Sequence, residues 1–358
     1  MLTIQPPFIR DYFSTKQVKQ PNSKSFRRLF LSWEDALWHL LIVYKIEQSA
    51  SILVPEFYCG NVVEHMEQHG LKVAYYPVNA KLVTPLSDLV SAIKEHQPKI
   101  LVIFHPAGIT NTLMKEVKAW QKYLALETII IEDCVHKILD ERKVKFVSER
   151  HFLIDSLRKV VPIQGSNVYS LVPVPEINIW QSWLTFPYRL SVLYYWITMQ
   201  IWLFCSYSTR KEKWWRKVEK KANLALTKGY DLIGSNKLAS PGLAIMNYLY
   251  PRIPIKKIEE CKEWQAKMYT KALKPFLNSP DFWVPTMKRS DYKYLRGFPI
   301  VINLKVAEDF LVYLRDNGVF IDFGLDDGPW SKNQKIIYLP MGLHIKKDEI
   351  QNIINIIF

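Results

Sequence analysis

Cysteine and glycine are scarce in this sequence of 358 residues. The four cysteines, Cys59, Cys134, Cys205 and Cys261, form no C-x-x-C pair, which argues against a disulfide framework or a zinc site and favours a reducing cytosol. The 12 glycines, with no repeat or low-complexity stretch, exclude collagen-like and linker-rich classes. The N-terminal residues contain no continuous apolar run, so we expect no secretory signal.

Acidic residues are outnumbered by basic ones. The chain has 48 Lys and Arg residues against 34 Asp and Glu residues, which gives a net charge of +14. This balance favours an anionic partner: nucleic acid, an anionic membrane face or a phosphate-bearing small molecule. Because no helix-turn-helix, RRM or zinc pattern is present, we do not expect nucleic acid as a functional partner.

The middle of the chain contains an uncharged, aromatic-rich segment from Leu190 to Tyr207. Its length is near the lower limit of roughly 17–25 residues for a membrane-spanning helix. Two interpretations stay open: a buried helix of the core or of a dimer interface, and a helix on or in a membrane. The basic stretch that follows contains Trp214 and Trp215, as an interfacial helix would. We therefore expect a cytoplasmic protein and leave open a peripheral contact of residues 190–221 with the inner membrane face.

Helical patterns alternate with short apolar runs in the first half of the chain. The stretch from Phe26 to Glu47 predicts a helix entered through Ser32, and further helices are predicted at Leu86–His96 and Met114–Leu124. Apolar runs without alternation, such as Ile100–Phe104, predict a mostly parallel sheet covered by helices on both faces. The expected domains are an N-terminal arm at 1–26, a large α/β domain at 27–245 with an aromatic-rich helical segment at 176–221, and a small C-terminal α+β domain at 246–358.

Polar residues follow the ends of the predicted strands, where ligands bind in parallel α/β sheets. They are Tyr58, His105, Asp133, His136, Ser156 and Lys159. Pyridoxal phosphate requires a lysine for a Schiff base, a carboxylate for its pyridine nitrogen and a polar binding site for its phosphate. Asp133 at a strand end, Lys159 26 residues later and Ser156 three residues before that lysine supply these groups. Taken singly, each has a structural interpretation, and only their combination indicates this cofactor.

The same residues carry a family resemblance. The segments SWEDALWHLL, ILVPEFYCG, VIFHPAG, IIIEDCVHKI, DSLRKVVPIQGSNVY and YLPMGLHIKKDEIQNIINII occur in the order typical of the DegT/DnrJ/EryC1/StrS sugar aminotransferases. The chain resembles this family of pyridoxal-phosphate enzymes from about residue 27 to its end. The resemblance implies the α/β fold of fold-type-I transferases and a homodimer whose active sites form across the two-fold interface.

The resemblance also assigns roles to individual residues. Lys159 would form the Schiff base and transfer protons, and Asp133 would pair with the pyridine nitrogen. The remaining cofactor-binding residues implied are His136 near the ring hydroxyl, Ser156 and Ser32 at the phosphate, Tyr58 against the ring and Asn236 at the partner subunit's phosphate.

The implied reaction is transfer of an amino group from glutamate or glutamine to a nucleotide-linked keto-sugar, in surface-polysaccharide or amino-sugar biosynthesis. One departure from the family pattern supports an alternative. Trp33-Glu34 follows Ser32, where family members have glycine and a small or polar residue, so a bulky and an acidic side chain would adjoin the phosphate. The alternative is a degenerate family member that keeps the fold as a binding or scaffold protein.

Overall fold

The computed structural model describes residues 3–14, 25–139, 143–208, 212–234, 236–276 and 279–357. Within these residues, ten strands form two sheets, a seven-stranded one in the order β1-β7-β6-β5-β4-β2-β3 and a three-stranded antiparallel one in the order β10-β9-β8. The strands are β1 Phe26–Phe30, β2 Ser51–Pro55, β3 Lys72–Tyr76, β4 Ile100–Phe104, β5 Ile129–Cys134, β6 His151–Asp155, β7 Ser166–Ser170, β8 Phe282–Trp283, β9 Phe298–Asn303 and β10 Gln334–Leu339.

Helices precede or follow most of these strands. They are α1 Trp33–Val43, α2 Gly60–Gln68, α3 Leu86–His96, α4 Val117–Trp120, α5 Ile179–Leu184, α6 Phe186–Ser208, α7 Glu212–Leu232, α8 Ala244–Leu249, α9 Ile255–Ala272, α10 Leu304–Asp316 and α11 Lys347–Ile357. The mixed α/β fold with a mostly parallel large sheet, predicted from the apolar runs, is confirmed.

Strands β6, β5, β4, β2 and β3 of the large sheet run parallel to one another. Strand β7 runs antiparallel to β6, and the edge strand β1 pairs antiparallel with β7. All residues of β4 and β6 are buried, as expected for strands covered on both faces. In register, Phe104 at the end of β4 lies beside Asp133, and Cys134 lies beside Asp155. The ends of these strands therefore meet at one edge, where a ligand can contact several of them.

Two predicted helices differ from the structure. Residues Phe26–Phe30 form an edge strand, and the helix starts only after Ser32, whose hydroxyl accepts a hydrogen bond from the Asp35 amide at 3.1 Å. The predicted helix Met114–Leu124 is reduced to one α-helical turn between two 3₁₀ turns. Ser32 is thus an N-cap, which is what its position before an amphipathic run predicts.

The small sheet, α10 and α11 pack onto the same hydrophobic core as the large sheet. Val102 of β4 and Ile300 of β9 belong to one cluster of buried side chains. The N-terminal segment joins them, because the buried Tyr12 hydroxyl hydrogen-bonds His344 Nδ1 at 2.8 Å. These contacts bring the N-terminal segment and the C-terminal segments close to the strand ends of the large sheet.

The aromatic-rich middle forms a helical hairpin of α6 and α7. One face of α6, including Met199 and Leu203, packs on Ala222 and Ala225 of α7. The opposite face of α6 is exposed. Among the residues that the structure describes, no helix combines the length and the apolar run needed to cross a bilayer. The predicted buried helix is therefore buried on one side only.

Candidate active site

A cavity of about 370 Å³ opens at the carboxyl ends of β4, β5 and β6. Of the seven site residues predicted from the sequence, five line it: Tyr58, Asp133, His136, Ser156 and Lys159. The other two, Ser32 and Asn236, do not. The fold thus brings together the carboxylate and the imidazole at the end of β5 and the lysine that follows the neighbouring strand β6.

Asp133 is the buried carboxylate of this cavity, with 2% of its surface exposed. Its Oδ1 accepts a hydrogen bond from the Val135 amide at 3.0 Å, and its Oδ2 accepts one from the Tyr58 hydroxyl at 2.6 Å. Burial raises the pKa of Asp133 to about 7. The carboxyl group would therefore gain from a cationic partner at physiological pH.

Lys159 lies in a short 3₁₀ turn that follows β6. Its amine lies 5.5 Å from the centre of the Tyr230 ring, and the Arg158 guanidinium stacks on that ring at 3.9 Å. Burial, with the nearby positive charges of Arg296 and Arg158, lowers the pKa of Lys159. A lower pKa increases the fraction of free amine, which is the nucleophilic form.

Tyr230 comes from α7 and is a site residue that the sequence analysis missed. Burial alone would raise the pKa of its phenol, but the positive charges of Arg158 and Lys159 outweigh burial and lower that pKa to about 8. The Lys159 amine, 5.5 Å from the centre of the ring, thus favours the phenolate form of Tyr230. A tyrosine with this pKa can exchange a proton with the lysine near neutral pH.

His136 is fully buried between two hydrogen-bond donors. Its Nδ1 accepts from the Ala107 amide at 3.1 Å, and its Nε2 lies 3.2 Å from an Arg296 guanidinium nitrogen. Burial and the charge of Arg296 hold the pKa of His136 well below its usual value, so the ring is neutral. Arg296, which precedes β9, was also missed, because no local pattern links it to the strand ends of the large sheet.

His105, expected among the strand-end site residues, does not line the cavity. Its Nε2 lies 2.6 Å from Glu132 Oε1, and its Nδ1 accepts from the Asn111 amide at 3.0 Å. Glu132 also lies 3.3 Å from His151 Nε2. Glu132 and Cys134 alternate with Asp133 along β5, so they point to the other face of the sheet. The prediction that His105 joins the crevice is wrong.

The cluster behind β5 has the composition of a metal site. Ligand atoms of His105, Glu132 and Cys134 lie within 4.8 Å of one another. Both ring nitrogens of His105 are already engaged in hydrogen bonds, with the Nε2 proton directed at the carboxylate. This arrangement satisfies the buried polar groups without a metal ion.

The N-terminus of α1 differs from the binding site expected for a phosphate. The Ser32 hydroxyl donates to Asp35 Oδ2 at 2.6 Å and is turned into its own helix. Trp33 and Glu34 line the cavity instead, and Glu34 Oε1 lies 3.9 Å from His65 Nδ1. Ser32 does not line the cavity, so its contact with the phosphate stays a prediction. A carboxylate at this helix end would repel a phosphate dianion.

Asn236 lies outside the cavity as well. Its side-chain oxygen accepts a hydrogen bond from the Leu238 amide at 3.3 Å. Its expected contact is with a partner subunit's cofactor, so that role stays a prediction. The rim of the cavity adds exposed carboxylates that the sequence analysis did not consider: Asp231, Asp326 and Asp327.

Solved structures resemble this chain over nearly its whole length. A protein from Streptococcus pneumoniae described as a sugar aminotransferase, in its PMP (pyridoxamine phosphate) form, has a TM-score of 0.61 at 11% identity, covering 99% of this chain and 96% of that one. An aminotransferase from Streptoalloteichus hindustanus has a TM-score of 0.60 at 10% identity, covering 100% and 98%. A DegT/DnrJ/EryC1/StrS aminotransferase from Brucella abortus has a TM-score of 0.55 at 15% identity, covering 92% and 84%.

The fold is that of the sugar aminotransferases. The resemblance inferred from the sequence segments is confirmed at the level of the fold. No protein-family model and no curated protein sequence matches the chain. At such low identity the likeness defines the fold, and the reaction must be argued from the site.

Proposed function

We propose that this chain is a pyridoxal-phosphate-dependent aminotransferase that transfers an amino group from glutamate or glutamine to a keto-sugar. The observation that carries the proposal is the presence of Lys159 and Asp133 on the wall of one cavity, at the carboxyl ends of parallel strands in an aminotransferase fold. Pyridoxal phosphate, when bound, supplies an aromatic electron sink. The protein contributes binding, orientation and proton transfer.

Asp133 has the acceptor capacity to hold a protonated ring nitrogen. A carboxylate offers about four lone-pair positions. The Val135 amide and the Tyr58 hydroxyl occupy one on each oxygen, so both oxygens can accept again. The Tyr58 hydroxyl orients Asp133 toward the ring nitrogen. A stacking contact between the Tyr58 ring and the cofactor stays a prediction.

Lys159 and Tyr230 form the proton-transfer pair. The lysine amine has a lowered pKa, and the tyrosine phenol that it contacts has a pKa of about 8. The amine can therefore take up a proton from a substrate carbon, with the phenolate stabilising the ammonium that results. His136, neutral and hydrogen-bonded on both sides, is fixed in position and does not compete for the proton.

The phosphate half of the site fits the cofactor less well than the ring half. Ser156 lines the cavity. Because its hydroxyl caps no helix, it can donate a hydrogen bond to a phosphate. Glu34 faces the same cavity with a carboxylate. We therefore expect weak cofactor binding, which improves when the charge of Glu34 is removed.

The visible spectrum tests the proposal. After incubation with pyridoxal phosphate and removal of the unbound cofactor, which is itself yellow, the protein should keep a yellow colour that L-glutamate bleaches. Lys159→Arg keeps the positive charge but removes the nucleophilic amine, so it should stay colourless. Lys137→Arg is the matched control, because Lys137 is also buried but lies outside the cavity. A colourless wild-type protein after incubation with the cofactor refutes the proposal.

The acceptor proposed from the sequence is a nucleotide-linked keto-sugar of surface-polysaccharide or amino-sugar biosynthesis. The names of the similar structures support a sugar. A diphosphate is less well supported, because the exposed carboxylates of Asp231, Asp326 and Asp327 at the rim of the cavity would repel it. Comparing turnover of a nucleotide-linked keto-sugar with that of the free sugar tests this part separately. Equal or faster turnover of the free sugar removes the nucleotide from the proposal.

The alternative is a binding or scaffold protein that keeps the fold without the reaction. Glu34 and Trp33 in the cavity favour it, because both oppose phosphate binding. The two functions differ in the second step of the spectral experiment. A yellow protein that no amino donor bleaches is a binding protein.

A membrane-facing role for the hairpin of α6 and α7 accompanies either function. Large apolar side chains at helical spacing are exposed along α6 and continue onto α5: Trp180, Trp183, Leu190, Tyr194, Ile197, Ile201 and Phe204. Lys220 and Lys221 of α7 are exposed, and the Lys221 amine lies 4.3 Å from the centre of the Trp202 ring of α6. An apolar face with aromatic residues and flanking lysines suits an anionic membrane surface.

Flotation with phosphatidylglycerol vesicles tests the membrane contact. The triple variant Trp180→Ser/Trp183→Ser/Ile201→Ser should lose vesicle binding. Leu126→Ser, at a side chain that is 95% exposed elsewhere on the surface, should keep it. A second copy of the chain is the competing occupant of the face. Failure to float, combined with a triple variant that changes from dimer to monomer in sedimentation, assigns the face to the homodimer instead.

A further inference from the structure

Glu34 is a buried carboxylate that lines the cavity without a hydrogen bond. Only 6% of its surface is exposed. Across the described parts of the chain, its one ion-pair contact is with His65, whose Nδ1 lies 3.9 Å from Glu34 Oε1, and no donor lies within hydrogen-bond distance of the carboxylate. A buried polar group is costly unless it is paired, so a donor is missing beside Glu34.

The N-termini of α1 and α2, which open onto the cavity, already carry carboxylates of the chain itself. In α1, Glu34 and Asp35 both lie in the first turn, and the Asp35 amide donates to the Ser32 hydroxyl. In α2, the Asn61 amide donates to Asp327 Oδ2 at 3.2 Å. The amides and the positive dipole of a helix N-terminus commonly bind phosphate in proteins. At both helices, groups of the chain itself take that position.

Trp33 connects this end of α1 to the residues proposed to hold the pyridine ring. The centre of its ring lies 6.2 Å from that of the Tyr58 ring, in an edge-on arrangement, and the Tyr58 hydroxyl donates to Asp133. The charge of Glu34 reaches Asp133 and contributes to the raised pKa of that carboxyl group. In the pyridoxal ring, a single ring atom separates the nitrogen from the carbon that carries the 5′ substituent. A ring held at Asp133 therefore places that substituent in the part of the cavity that Glu34 lines.

We propose that the cavity prefers the phosphate-free forms of the cofactor, pyridoxal and pyridoxamine, whose 5′-hydroxyl donates a hydrogen bond to the Glu34 carboxylate. This inference rests on the proposed function, because it takes Asp133 as the partner of the ring nitrogen. The hydroxyl supplies the donor that Glu34 lacks, and it is uncharged. A phosphate ester with a second pKa near 6 is mostly a dianion at neutral pH, so it has no proton to donate and is repelled by Glu34.

Arg158 is the cation of the cavity wall that would have to compensate a phosphate. Its guanidinium stacks on the Tyr230 ring at 3.9 Å, and its charge lowers the pKa of that phenol. The phenolate form of Tyr230 is thus a counter-ion for Arg158 inside the cavity. A bound phosphate would compete with Tyr230 for Arg158, whereas a hydroxyl group requires no cation.

Two amines that differ only in the phosphate test this preference. Pyridoxamine and pyridoxamine 5′-phosphate share the ring and the amino group, and as amines they form no bond with Lys159. In calorimetric titrations of cofactor-free wild-type protein, pyridoxamine should bind at least tenfold more tightly than its phosphate. Glu34→Gln should reverse the preference. Pyridoxamine should bind about three- to tenfold more weakly, because its hydrogen bond loses a charged acceptor, and the phosphate about tenfold more tightly.

Two further variants separate the charge of Glu34 from general effects. Glu34→Asp keeps the charge and should keep the discrimination against the phosphate. Glu127→Gln is the matched control, because Glu127 is exposed and lies outside the cavity, so both affinities should equal those of wild type. If wild type binds the phosphate as tightly as pyridoxamine, or binds neither amine, the inference is wrong. Failure of the proposed function is distinct, because it appears as a wild-type protein without a yellow colour and not in the ratio of the two amines.

Discussion

Gly108 joins the end of β4 to the loop before β9 through a close backbone contact. Its φ is +90°, and an added Cβ would lie 2.3 Å from the Tyr294 carbonyl oxygen and 2.9 Å from that of His136. Both neighbours are backbone atoms, so neither can move away as a flexible side chain would. Gly108→Ala should therefore destabilise the protein by two separate effects.

The expected size follows from these two effects. A positive φ costs a residue with a Cβ about 1–2 kcal/mol. Overpacking against fixed neighbours costs about 1–3 kcal/mol more. The free energy of unfolding should thus fall by roughly 2–5 kcal/mol. Because the Ala107 carbonyl accepts from the Arg296 amide at 2.9 Å, displacement of this turn should also shift Arg296 in the wall of the cavity.

Gly229→Ala provides the matched control. Gly229 lies inside α7, and its added Cβ would meet only Tyr195 Cβ, at an ordinary distance of 3.5 Å. Alanine in a helix interior should raise the free energy of unfolding by roughly 0.5–1 kcal/mol. Urea unfolding followed by circular dichroism measures both changes. If Gly108→Ala unfolds within about 0.5 kcal/mol of wild type, the contact is not restrictive and the reasoning fails.

Three further substitutions probe the charges of the site. The phenol of Tyr230 has a pKa of about 8, so it loses its phenolate form below that pH and the rate of cofactor bleaching should fall there. Tyr230→Phe should remove this fall in rate below pH 8. An unchanged pH profile excludes Tyr230 from proton transfer. Glu34→Gln should bind pyridoxal phosphate about tenfold more tightly, measured by absorbance titration, and equal affinity contradicts the proposed repulsion. Burial raises the pKa of Asp35 from 3.8 to about 7, so its contribution to stability is complete below pH 4 and is lost as the pH rises through 7. Asp35→Asn should therefore make the urea midpoint of unfolding nearly independent of pH between 4 and 7. If the midpoint of the variant still changes with pH, other groups cause the change.

Local sequence signals were sufficient to predict some elements of the large sheet and of the helices that cover it. Helix α3 and strand β4 have the predicted bounds because periodic or continuous apolar residues and flanking prolines mark them unambiguously. The strand Phe26–Phe30 was missed because its apolar residues, at positions 26, 29 and 30, have the spacing of a helix face. Only pairing with β7 makes the segment a strand. Tyr230 and Arg296 were missed for a related reason. They reach the cavity through packing between segments that are distant in the chain, which no local pattern reports.

The net charge of +14 suggested a phosphate-bearing partner, but the basic residues are not placed where such a partner would first meet the cavity. If the basic residues served a diphosphate-bearing substrate, they would be expected around the cavity mouth, but that mouth carries Asp231, Asp326 and Asp327. The cations of the site lie deeper, at Lys159 and Arg296, next to the position where the amine reacts. A small carboxylate can reach them, whereas a bulky diphosphate would have to pass the rim. In the proposed aminotransferase, the charge of the site would therefore favour a small carboxylate over a diphosphate, and the excess of lysines on α7 is better explained by a surface contact than by catalysis.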